Sequence, residues 1–211
     1  MVASENSNGV ANAHPSPAAF AHAVLRTTTD QYDKMTQWYI DLLNAKIAHQ
    51  GPYIMFLRYD QEHHRIAIAA NPNNVPKSID QRHAEVDHLA FSYTTLTELA
   101  QVYTSLKSKN IVPIWTINHG PTTSFYYRDP DGNKVELQVD NFDTSEEADA
   151  FVQGPLFRMN PMGTDIDPDK WSSEILAKVR PDGTEGLDAE EILRIKTRQE
   201  IGERFTAPDK F

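Results

Sequence analysis

The 211-residue chain is 39% hydrophobic and 24% charged, the balance of a globular domain, and its formal charge of −10 leaves no basic stripe for a nucleic acid. It contains no cysteine, which excludes disulfides, zinc–thiolate sites and cysteine nucleophiles. No apolar run approaches the roughly 20 residues that a membrane span needs.

Residues 1–18 (MVASENSNGVANAHPSPA) lack the basic and apolar regions of a secretory signal, so a cytoplasmic location is expected. Their Ser, Asn, Ala and Pro content reads as a disordered arm. From Phe20, FAHAVLRT reads as a strand and TTDQYDKMTQWYIDLLNA as a helix, with Tyr32, Met35, Trp38, Tyr39 and Leu42 near helical spacing and Asp30 as its N-cap. AKIAHQ, YIMFLRYD and RIAIAA follow as short strands, and the polar, proline-containing segment 71–84 forms a boundary.

The order then recurs. VDHLAFSY is a strand, TTLTELAQVYTSLKSKN a helix with Leu96, Leu99, Val102, Tyr103 and Leu106 on one stripe, and IVPIWTI, TSFYYRD and KVELQV three further strands. The chain therefore carries two βαβββ modules, residues 20–71 and 85–140, within a domain spanning 19–142. The fold class is α+β. Each module has a one-sided sheet whose open face needs a cover, and the pair is expected to curl into a partly closed barrel around one cavity. Residues 143–211 change in composition. They predict a short acidic helix capped by Asp143 or Thr144, two amphipathic helices at 170–179 and 188–199, and a helical extension packed on the domain or on a partner subunit.

The repeat extends to chemistry. His22 and His88 are each the third residue of a module's opening strand, and Glu136 lies on the last strand of the second module, opposite Val135 and Leu137 in alternation. A single strand histidine reads as a hydrogen-bonded core residue, and a strand Glu as solvated. Three ligand-type residues at repeat-related positions instead form the two-histidine, one-carboxylate set that suits non-haem Fe(II) and leaves positions open for substrate and oxygen.

The segments HAVLRTTTDQYDKMTQWYIDLLNAKI, YDQEHHRIAIAA, VDHLAFSYTTL and NHGPTTSFYYRDPDGNKVELQVDNF resemble the vicinal oxygen chelate superfamily. Within it they are most similar to small single-domain extradiol ring-cleaving dioxygenases. The resemblance covers roughly residues 20–142. It implies paired βαβββ modules, Fe(II) or else Mn(II), a homodimer, and O2-dependent cleavage of a catechol-like aromatic diol. By position it implies His22, His88 and Glu136 as metal ligands. It also implies Tyr126 and His119 as hydrogen-bonding groups beside the diol and His64 as the acid/base, with His63 its neighbour on the other face. Tyr127 falls on the packing face by alternation, and Trp115, Phe91 and Tyr93 are candidate pocket walls. His14, His49 and His83 carry no expected role. Two other readings belong to the same superfamily: a non-oxidative metalloenzyme (isomerase, lyase or hydrolase) and a metal-free small-molecule-binding resistance protein. RIAIAA offers no fourth ligand of the kind the first would use, and the second has no need of the triad.

Overall fold

The computed structural model describes residues 15–78, 84–209 and 211; most of the expected N-terminal arm, together with His14 and His83, lies outside them. The first module runs β1 (Ala23–Thr27), α1 (Tyr32–Leu43), β2 (Lys46–Gln50), β3 (Ile54–Arg58) and β4 (Ile66–Ala70). The second runs β5 (His88–Tyr93), α2 (Leu96–Ser108), β6 (Trp115–Asn118), β7 (Thr122–Arg128) and β8 (Lys134–Asp140). Their sheets have the orders β1-β4-β3-β2 and β5-β8-β7-β6, with β1/β4 and β5/β8 parallel and the remaining pairs antiparallel. The repeat seen in the sequence is thus a repeat of topology.

Both helices form for legible reasons. In α1, Tyr32, Met35, Thr36, Tyr39, Leu42 and Leu43 are buried on one stripe, and Asn44 closes it in the left-handed conformation (φ 47°). Asp30 does not cap it. The chain turns from Thr28 to Gln31, which places Gln31 at the N-cap with no side-chain bond. In α2 the Thr95 hydroxyl accepts from the Glu98 N–H, and the Glu98 carboxylate accepts from the Thr95 N–H.

One apolar core joins the modules through the helix-side faces of both sheets. Met55, Leu57, Ile66 and Ile68 of the first sheet and Phe125, Tyr127, Leu137 and Val139 of the second belong to it, together with the inward stripes of α1 and α2. A buried bond from the Tyr39 hydroxyl to Asp129 Oδ2 (3.0 Å) ties α1 to the β7–β8 turn. The two sheets nevertheless stay separate. β1 and β5 are edge strands and do not pair with each other, so the expected closure into a barrel is not made within the chain.

The C-terminal extension packs on the second module. Thr144 caps α3 (Ser145–Val152) by accepting from Glu147 N–H. Then come α4 (Pro155–Met159) and the two-residue β9 (Thr164–Asp165), neither foreseen from the sequence, with β9 adding to the edge of β6. The two expected helices are shorter than their patterns, as α5 (Pro168–Leu176) and α6 (Ala189–Lys196). Ile175 and Trp171 of α5 are buried behind α2, where Trp171 meets Phe125 and the Tyr103 hydroxyl donates to Asp169. Among the described residues, no helix is long and apolar enough to cross a membrane.

Candidate active site

Strand register gathers the chemistry of the second module onto one face. Ala90, Glu136, Tyr126 and Trp115 form a row of paired residues across β5, β8, β7 and β6. His88, Lys134 and Arg128 form the next row on the same face. The opposite face carries Val135, Leu137, Phe125 and Tyr127 into the core, so Tyr127 packs rather than joining the site. Glu136 is therefore buried although its strand neighbours point the other way, its side chain only 6% exposed.

His88 Nε2 lies 3.0 Å from Glu136 Oε2. Two ligand atoms about 2.1 Å from one ion, at right angles to each other, are about 3.0 Å apart, so the pair has the spacing of adjacent ligands to a divalent cation. The other ring nitrogen, Nδ1, is 2.8 Å from Asp87 Oδ2, and Asp87 is held in turn by Lys134 at 2.6 Å. A carboxylate on the far nitrogen fixes the ring and aims Nε2 at Glu136, the backing that a ligating histidine usually has. Burial pushes the Glu136 carboxyl up, but hydrogen bonds from His88 and Ser124 outweigh it and hold the group below its ordinary value. The hydrogen bond to Glu136 raises His88 against the opposing effect of its burial. The donor set thus fits a cation: ionised carboxylate, oriented imidazole and a carboxylate behind it.

Beside this pair sit Tyr126 and His119. His119 Nδ1 is 2.5 Å from the Met162 carbonyl, which only accepts, so that nitrogen carries the proton. Burial pushes the imidazole toward its neutral form. Nε2 is then an acceptor, and the Tyr126 hydroxyl donates to it at 2.8 Å. Burial, with the Glu136 charge next, pushes the Tyr126 phenol far up and keeps it protonated. Trp115 stacks on Tyr126 (ring centroids 5.3 Å, 22°), and Phe211 closes the group at 4.7 Å from Trp115 and 4.9 Å from Tyr126. Lys134 Nζ stands 3.8 Å from the Phe211 ring centroid. The outcome is an aromatic wall next to a charged pair.

The extension holds this arrangement from behind. Arg198, its side chain 1% exposed, donates to the carbonyls of His119 (3.0 Å) and Asn160 (2.7 Å). Asp165 accepts from Trp115 Nε1 at 2.7 Å and from Arg204 at 2.9 Å. Gly163 (φ 110°) lets the extension pass against the Asn118 carbonyl, where any side chain would collide. Sequence reasoning missed Asp87, Arg198, Asp165 and Phe211. Only Asp87, adjacent to His88, carried a local signal.

The first module's expected residues lie apart from these. His22, just before β1, has His64 at 4.3 Å and His63 at 6.1 Å between ring centroids. His64 is buried and stacked on Phe56 (4.4 Å, 12°), whereas the His63 side chain is 67% exposed. Among the described residues, no three His, Asp or Glu side chains come together as a metal-holding group. The structure thus joins His88, Glu136, Tyr126 and His119 in one cluster, and His22 with His64 in another. Phe91 and Tyr93, candidate pocket walls in the sequence, instead line a separate cavity of about 530 Å³ between α1 and α2, which holds none of the expected site residues.

Residues 19–137 match the Glyoxalase/Bleomycin resistance protein/Dioxygenase superfamily. Two curated relatives from Rhodococcus globerulus are similar over most of the chain. Biphenyl-2,3-diol 1,2-dioxygenase 2 is 43% identical over 152 residues, 71% of this chain and 77% of the relative. Biphenyl-2,3-diol 1,2-dioxygenase 3 is 42% identical over 148 residues, 70% of this chain and 77% of the relative. Among solved structures, a lactoylglutathione lyase from Agrobacterium tumefaciens aligns with a TM-score of 0.47 at 20% identity, covering 59% of this chain and 96% of its own. With its two βαβββ modules and this match over more than half its length, the chain belongs to the glyoxalase/bleomycin resistance protein/dioxygenase superfamily.

Proposed function

We propose that this chain is a metal-dependent extradiol dioxygenase, opening a catechol-like aromatic ring beside its two hydroxyls with O2. The observation that carries the reading is the His88–Glu136 pair, set beside a protonated tyrosine hydrogen-bonded to a neutral histidine and against an aromatic wall. Relatives named as biphenyl-2,3-diol 1,2-dioxygenases, 42–43% identical over most of the chain, support it. The same reading assigns the metal to His22, His88 and Glu136, with Fe(II) the ion and Mn(II) its alternative. When bound, the ion would hold the diol oxygens and let the ring's electrons reach O2. Both oxygen atoms then end in the product, so no outside reductant is needed.

The chain's own residues supply positioning and protons. Trp115 and Phe211 flank the space beside Tyr126 and exclude water from a bound ring. Tyr126 faces a diol oxygen. As it takes a proton there, its own passes to His119 Nε2, which is poised to accept because Nδ1–H is committed to Met162. His64, beside His22, is the acid/base for the later proton. The test is anaerobic loading with Fe(II), addition of a panel of catechols, and then admission of O2. Oxygen uptake with a new ring-cleavage chromophore is expected; diol binding without oxygen uptake would transfer the site to Lewis-acid chemistry.

A further inference from the structure

The cavity of about 530 Å³ between α1 and α2 takes no part in the chemistry above. It lies on the helix side of the second sheet, where Leu89, Phe91 and Tyr93 of β5 pack against the core, while His88 and Glu136 face the other way. Leu42 and Leu43 at the end of α1 and Val102 and Leu106 on α2 give it apolar walls. Tyr59, just after β3, meets Phe91 edge-on at 5.9 Å and adds an aromatic one. Ser105, one turn after Gln101 and one before Lys109, lines the space with a side chain too small to fill it. The hydroxyls of Tyr59, Tyr93 and Ser105 have no hydrogen-bond partner among the described residues, although burial pushes the Tyr93 phenol up to about 12. Lys109 is the one cation among the lining residues, and it is engaged. Its Nζ lies 2.5 Å from Asp41 Oδ1, bridging the ends of the two helices, and Asp41 also accepts from Gln37 at 3.1 Å. An anion entering here finds no unpaired cation, and a cation finds the Asp41 carboxylate occupied, so a charged ligand would lose its water without compensation.

We propose that this cavity is a second binding site, separate from the candidate active site, for a neutral planar aromatic molecule that carries a hydroxyl. Its size falls within the range of small-molecule sites, and its lining has their usual make-up: apolar and aromatic walls with a few convergent polar groups. The ring packs on Phe91, Tyr59 and the leucines, and its hydroxyl meets the free hydroxyls of Tyr93 and Ser105. The inference uses no residue of the proposed metal centre and stands whether or not that assignment holds.

The test needs neither metal nor turnover. The isotope-labelled full chain, freed of metal, is titrated with 2-naphthol, which like other simple phenols is neutral at pH 7, and its backbone amides are followed by NMR. Saturable shifts are expected at residues 42–44, 91–93 and 101–106, with a dissociation constant below about 1 mM. The anion 2-naphthoate should bind there at least about 10-fold more weakly, because it would bury an unpaired charge. Ser105→Trp, on an exposed position of α2, fills the cavity and should weaken 2-naphthol at least about 10-fold. Tyr93→Phe should weaken it about 2- to 10-fold, the worth of one neutral hydrogen bond. Shifts that do not saturate, or that fall only around Trp115 and Tyr126, overturn the inference. Equal affinity for 2-naphthoate overturns the neutral class of ligand. A folded Ser105→Trp with unchanged affinity overturns the location. Should circular dichroism show that this variant is unfolded, the near-isosteric Tyr93→Phe decides, and unchanged affinity there overturns the site.

Discussion

Replacing Arg198 by Ala tests how much the extension contributes to the site. The guanidinium is almost wholly buried and donates at 3.0 Å to the His119 carbonyl and at 2.7 Å to that of Asn160, with a weaker 3.3 Å contact to Leu156. Hydrogen bonds from a charged donor contribute about 1.5–3 kcal/mol each. Counting only the two short ones, and noting that Glu200 is left partly exposed and free to hydrate, the loss should be about 3–6 kcal/mol. That is a large share of the roughly 5–15 kcal/mol that holds a domain folded. Urea denaturation of the metal-free protein measures it. Arg198→Lys should recover part of the loss, because a single ammonium cannot fork between two carbonyls. Since His119 is held through its own carbonyl, turnover should fall in both variants even where they remain folded. A stability change under about 1 kcal/mol for Arg198→Ala would refute the reasoning, because it would mean that the buried fork is not what fixes the extension to the His119 loop.

Tyr126→Phe should slow single turnover of a catechol by about 10²-fold, the low end for a positioned proton-transfer group, with metal content unchanged; an unaltered rate removes Tyr126 from the mechanism. Tyr39→Phe should cost about 1–3 kcal/mol in denaturation, since Asp129 Oδ2 loses a buried donor and keeps only Asn133 Nδ2. Burial raises the Asp129 carboxyl while the Tyr39 bond opposes that rise, so the penalty should be full at neutral pH and shrink as pH falls through the folded-state value; a pH-independent loss would point to packing instead. Phe211→Ala should raise KM for an aromatic diol about 2- to 10-fold, the worth of one aromatic contact, and an unchanged KM would mean that the ring does not meet substrate.

The fold was readable because each module's alternation and helical stripe agree. The stripe of Tyr32, Met35, Tyr39 and Leu42 and that of Leu96, Leu99, Tyr103 and Leu106 bury as the spacing predicts. So was the placement of Glu136 opposite Val135 and Leu137, because register in a two-faced strand leaves only two choices. Alternation settles which face of its own sheet a residue takes; it is silent on how two sheets are set against each other. That is why His22 was expected beside His88 and stands elsewhere. Arg198 was unreadable for another reason. It is one charged residue in a polar tail, and its burial comes from carbonyls of Leu156, Asn160 and His119, 38 to 79 positions away in sequence. Asp30 misled because the backbone turn from Thr28 to Gln31 carries the chain one residue past it before the helix begins.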